Sequence, residues 1–144
     1  MGQQQLLLII LGVIIVGIAI AVGLQLFQTG SIGANQDAMI NDVMNISAHA
    51  DQWRIRPLSM GGGGGAFDGG ANDPYALPTR MEDTGNGTYN VFGHTENQIS
   101  IRGESLIHDG WVELDYDADA DDDGDRFTWR FGGVFGEATS TQPD

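Results

Sequence analysis

Residues 6–27 read LLLIILGVIIVGIAIAVGLQLF, a run with no charge and one polar side chain, Gln25. As a helix this run is about 33 Å long at 1.5 Å per residue, against a bilayer hydrocarbon core of about 30 Å. A helix that is apolar all round has no stripe to turn toward water, so it needs lipid or other apolar helices around it. The residues before it are Met1-Gly2-Gln3-Gln4-Gln5. They lack the basic n-region of a secretory signal peptide, and the apolar run is longer than such a peptide carries. Two readings fit: a single-pass membrane anchor, and a helix that enters the membrane and then packs with copies of itself. Hydrophobicity alone does not separate them.

Charge is confined to the other part of the chain. Among 144 residues there are 20 acids and 6 basic residues, all Arg, for a formal charge of -14, and the first charged residue is Asp37. No basic patch is available to displace phosphate counterions, which argues against nucleic acid as a partner. The same balance disfavours docking on an anionic membrane surface. Without cysteine there is no disulfide, thiolate metal site or cysteine catalysis. An acidic chain without Lys suits a saline, halophile-like setting, where salt screens the self-repulsion.

Residues 1–28 are therefore read as an apolar N-terminal helix and 29–35 as a glycine-containing soft spot. Gly30 and Gly33 weaken helix there, and Ser31 or Asn35 would cap a restart. Over 36–57 the spacing of Met39, Val43, Ile46, Ala50 and Trp53 (4, 3, 4, 3) predicts an amphipathic helix ended by Pro57. Residues 58–87, with the run Gly61–Gly65, read as a loop. It is either a flexible connection or a closely packed backbone anchored by Phe67 and Tyr75. From 88 to 135 the period is two: Tyr89 and Val91, Ile99 and Ile101, Val112, Leu114 and Tyr116, then Phe127, Trp129 and Phe131. Gly93-His94, Gly103-Glu104, His108-Asp109-Gly110 and Gly124-Asp125 read as turns between these runs. The expected fold is α+β: a long apolar helix continuing into an amphipathic helix packed on a small four-stranded antiparallel sheet. Residues 136–144 read as a polar, frayed tail. Trp53, Phe127, Trp129 and Phe131 are expected in the core, and Trp111 on the surface or at a subunit contact.

A short leader ending in Gly, an uncharged apolar helix, an amphipathic continuation, a Gly-rich loop and a four-stranded sheet together resemble a type IV pilin or pilin-like subunit. The likeness of architecture covers the whole chain, and the likeness of sequence is confined to roughly residues 2–27. The resemblance implies a membrane-inserted precursor in the cytoplasmic membrane and cleavage by a prepilin peptidase between Gly2 and Gln3. It also implies a helical homo-oligomer, exported as an extracellular, adhesion-type filament. Its core would be built from Leu6, Leu7, Ile10, Ile14, Gly17, Ile18 and Leu24. The family's acidic residue at the fifth mature position falls here on Leu7, and its helix-breaking proline is absent. Glutamine after the cleavage glycine is reminiscent of archaeal members.

Gly12, Gly17 and Gly23 permit close helix approach, no charge lines a transport path, and heterologous contacts that do not close a ring make filaments.

Other chemistry is sparse. Asp117, Asp119, Asp121, Asp123 and Asp125 form an acidic run. Asp119, Asp121, Asp123 and Gly124 match the opening of a calcium loop whose twelfth position should be a bidentate acid but is Arg130. Calcium is the one cofactor this run suggests, against a solvated acidic loop. Asn45-Ile-Ser47 and Asn86-Gly-Thr88 are N-glycosylation sequons at Asn45 and Asn86. His49, His94 and His108 are not at ligand spacing, and no nucleophile elbow is present, so catalysis is not expected. The readings carried forward are a structural filament subunit, a minor pilin or secretion-system pseudopilin, and a monomeric single-pass membrane-anchored binding domain. The anchor reading lacks the basic flank that usually fixes orientation, since the first Arg is Arg54.

Overall fold

In the computed structural model, which describes residues 2–120, 126–136 and 138–142, the first element is a helix, α1, Gly2–Ile55. The chain divides into two compact units, Met1–Ala34 and Asn35–Asp144, and α1 contributes to both. The soft spot expected at 29–35 does not break the helix: helical structure continues through Gly30 and Gly33. An isolated Gly costs a helix only about 1 kcal/mol relative to Ala, and no proline lies between positions 1 and 56. Thr29 also donates its hydroxyl to the Gln25 carbonyl at 3.0 Å, one turn back. No helix restart occurs, so neither Ser31 nor Asn35 acts as a cap. At the other end α1 stops at Ile55, two residues before Pro57, where the sequence expects it to stop.

In the second unit, α1 lays its stripe on the sheet. Met39, Val43, Ile46 and Ala50 are buried and Trp53 is half-buried. The sheet consists of β1 (Gly87–His94), β2 (Gln98–Ser105), β3 (Gly110–Asp117), β4 (Phe127–Gly133) and β5 (Ala138–Gln142), antiparallel and in chain order. The four strands expected from the period-two pattern are β1 to β4. Two rows cross the sheet on the helix side: Val91, Ile101, Leu114 and Trp129, and Tyr89, Gly103, Val112 and Phe131. Tyr116 joins them, with Phe67 edge-on at 5.9 Å and Phe127 stacked at 5.1 Å. Trp129 is buried, while Phe127 and Phe131 pack on the margin of this core.

Three local expectations change. The glycines expected in turns at 93 and 103 lie inside strands. Gly93 sits at a β-bulge where the β1–β2 register shifts, and at Gly103 a side chain would strike the Tyr89 ring lying across it. The segment expected as a tail supplies β5, paired with β4 from Phe131↔Ala138 to Phe127↔Gln142. Thr139 and Thr141 are residue types enriched in strands, and the open edge of β4 offers unpaired donors and acceptors.

The glycine run, finally, is packed. Gly63 donates its N–H to the Trp53 carbonyl (3.0 Å), Gly64 to Arg56 (2.9 Å) and Gly65 to Arg54 (2.8 Å), so the run closes the end of α1. A side chain at Gly63 would meet the Trp53 ring and the Ala66 carbonyl. Phe67 and Tyr75 are both buried, as the anchored alternative requires. A 3-10 turn (Leu58–Met60) and the short helix α2 (Thr79–Glu82) complete the connection.

Ile101 is fully buried whereas Ile107 is 59 % exposed. Denaturant titration of the detergent-solubilised chain should therefore show Ile101→Ala destabilising by about 2–5 kcal/mol. Ile107→Ala should stay within about 0.5 kcal/mol.

Candidate functional site

The first unit carries the candidate site, an apolar helical surface exposed among the described residues. Every large apolar side chain from Leu6 to Phe27 is exposed, from 49 % at Val22 to 75 % at Phe27. The mean hydropathy of its 18-residue window is 3.2, and none of that window is buried within the chain. The helix is long and apolar enough to cross a membrane and is compatible with insertion. Leu6, Leu7, Ile10, Ile14, Ile18 and Leu24 are among these exposed residues. Gly12, Gly17 and Gly23 have open space where a side chain would project, leaving room for another backbone. Gly2 and Gln3 lie in the first turn of α1.

A knot of polar side chains fixes α1 to the sheet from Asn35 onward. Asn35 is buried; it donates to the Asn86 carbonyl at 3.2 Å and accepts from the Ser105 hydroxyl at 2.6 Å. Two turns on, one carboxylate oxygen of Asp42 accepts from Thr84 (2.9 Å), Asn86 (3.0 Å) and Tyr89 (2.8 Å). Burial, then the bond to Asp42, raise the Tyr89 hydroxyl above its ordinary pKa of 10.0. The sequence pointed to Asn35 as a helix cap, Asn86 as a sequon and Tyr89 as a strand residue, and did not bring them together with Asp42. The signal was present, however: Asn35 lies four positions before Met39 on the apolar stripe, where a polar residue must find a partner inside.

The other candidate residues are dispersed. Asp117 accepts from Gln98 (2.7 Å) and from the Asp119 backbone N–H (3.0 Å), and Asp119 accepts from Asn97 (3.3 Å). Asp121, Asp123 and Asp125 lie outside the described residues. Among the described residues no cluster of three metal-ligating side chains occurs. Arg130, at the twelfth position of the calcium-loop pattern, faces Glu113 and Asp115 at 2.6 Å each. The hydrogen bond from Arg130 to Glu113 and the Asp115 charge beside it hold the guanidinium in its charged form.

Asn45 is exposed on α1, with Ser47 of its sequon buried and bonded to the Met44 carbonyl. The amide nitrogen of Asn86 is engaged by Asp42. Trp111 is half-buried, with its indole across Gly132 on the neighbouring strand and the Arg102 guanidinium 4.4 Å from the ring centroid. It thus lies partly exposed on the sheet's polar face. No family model, curated protein or solved structure matches the chain.

His49 couples this fold to pH. His49 Nδ1 lies 2.8 Å from the Tyr75 hydroxyl. Burial, then Arg80 and Arg56, lower the histidine pKa below 6.5, and burial raises the tyrosine to about 12. Tyr75 therefore stays protonated and donates to neutral His49. A histidine whose pKa falls on folding leaves the unfolded state with more bound protons just below pH 6.5. Stability should be full above that pH and decline as pH falls from 6.5 toward the lowered folded value. Urea midpoints measured from pH 7.5 to 5 should show this decline, and His49→Gln should flatten it.

Proposed function

We propose that this chain is the structural subunit of a helical, type IV pilus-like extracellular filament. In this reading it is held in the cytoplasmic membrane as a precursor and polymerises through residues 6–27. The observation that carries the reading is the uncovered helix surface. Sixteen large apolar side chains between Leu6 and Phe27 are exposed, and water is a poor environment for all of them. Lipid satisfies the surface before assembly, and the same segments of other copies satisfy it afterward. The acidic unit that follows is well suited to be the outer shell, since Asp and Glu stay hydrated while the uncharged segment is enclosed.

Electron microscopy of the expressed protein tests the reading: fibres are expected after detergent removal, and monomers that never form fibres contradict it. Ile14→Asp places a carboxylate in the middle of the segment, where a charge costs about 2.5–3.5 kcal/mol. It should abolish fibres while leaving the urea midpoint of the second unit unchanged.

The acidic shell makes a second measurable claim. The chain's charge of -14 lies entirely beyond residue 36, so repulsion between shells grows as the Debye length lengthens from about 3 Å at 1 M salt to about 30 Å at 0.01 M. Fibres should lose thermal stability on transfer from molar to millimolar salt, and turbidity or light scattering during heating reads this directly.

A further inference from the structure

On the face of the sheet turned away from α1, the first two strands hold a square of polar side chains. Thr88 stands directly opposite Glu104, and Asn90 opposite Arg102. Such partners have Cβ atoms about 4.5–5.5 Å apart. Phe92 comes next on β1. It is the extra residue of the β-bulge, without a partner across β2, and it is 54 % exposed. With Tyr89 these residues line a hollow of about 520 Å³, within the range of roughly 300–1,000 Å³ usual for ligand sites.

Arg102 is held in place but keeps donors to spare. Its guanidinium lies on the Trp111 ring at 4.4 Å from the centroid, and Gly132 leaves the room that the indole occupies. Glu104 lies 3.5 Å from Nε and Glu113 3.9 Å from Nη1, distances too long for strong hydrogen bonds. Nε, shielded from water, has no hydrogen-bond partner among the described residues. A guanidinium fixed by stacking loses little further freedom when a ligand binds.

We propose that this hollow binds a neutral carbohydrate: one sugar ring lies on Phe92, and its hydroxyls bond to Asn90, Arg102 and Glu104. The inference stands apart from the filament reading, since the site belongs to a single folded chain. Charge narrows the ligand first. The chain's charge of -14 disfavours an anion, and a cation would compete with Arg102 for Glu104. The groups around the hollow narrow it further. Arg102 only donates, Glu104 only accepts, and Thr88 and Asn90 do both. The ligand must therefore offer donors and acceptors side by side, as adjacent hydroxyls do. Phe92 asks in addition for a flat apolar face, which the C–H side of a pyranose supplies. Ile55, Leu58 and Met60 are also exposed, but they offer no flat ring.

Calorimetric titration of the full chain in a sugar-free detergent tests this with cellotriose, maltotriose and chitotriose. At least one should bind with a Kd on the order of 1 mM. Phe92→Leu, which keeps an apolar side chain but loses the ring, should weaken that binding about tenfold. Phe92→Tyr should retain it, and both variants should keep the parent's urea midpoint. Amide chemical shifts of the parent chain, which need no variant, should change around Thr88, Asn90 and Arg102 as the sugar is added. The absence of binding by all the trisaccharides at about 10 mM, shifts confined to other residues, or a Phe92→Leu chain that binds like the parent overturns the inference. Tighter binding of adenosine or glycylglycine at the same residues also overturns it, by assigning the hollow to a nucleoside or a zwitterion.

Discussion

An apolar helical surface left exposed among the described residues is the constraint on which the rest of this structure depends. The sixteen large side chains between Leu6 and Phe27 represent on the order of 20 kcal/mol of burial free energy. That exceeds the whole folding stability of a typical domain, about 5–15 kcal/mol. Their environment therefore decides the state of the molecule more than any contact within the second unit does. The backbone of this segment makes its own hydrogen bonds as a helix, so it can move from lipid into a bundle of helices without exposing a polar group.

The second unit shows how the same helix changes role along its length. Up to Ala34 no residue of α1 is buried; from Asn35 the stripe at 39, 43, 46 and 50 goes under the sheet. The change begins with polar bonds, Asn35 to Asn86 and Ser105, then Asp42 to Thr84, Asn86 and Tyr89. Their partners come from β1, from the turn before it and from the end of β2. These bonds fix where α1 enters the sheet, since a buried Asn or Asp without partners costs more than an apolar replacement gains. The outward face of the sheet is also polar and internally matched: Glu113 on β3 lies between Arg102 on β2 and Arg130 on β4.

Much of this was legible from residue spacing. The helix stripe, the four alternating strands and the division between a neutral segment and an acidic one each follow from a period or a run. What spacing missed has identifiable physical causes. Gly30 and Gly33 weaken a helix without being able to end it. Gly93 and Gly103 look like turn residues, yet one serves a bulge and the other makes room for the Tyr89 ring. Strand β5 depends on the open edge of β4, which the sequence of 136–144 does not contain. The Gly61–Gly65 run left two readings open, and the carbonyls of Trp53, Arg54 and Arg56 decide between them. Of the candidate site, the apolar segment was readable at once, whereas the bonds of Asn35 and Asp42 were not, because the partners of a polar side chain are set by the folded chain.

The central claim is that residues 6–27 of different copies come to lie against one another. A nitroxide attached at Ile14→Cys in the otherwise cysteine-free chain measures this directly. Helices packed at about 8–10 Å should give strong dipolar broadening in the assembled state, lost on dilution with unlabelled chain. A sharp spectrum in assembled material, unchanged by dilution, would show that the segments do not meet and would contradict the account.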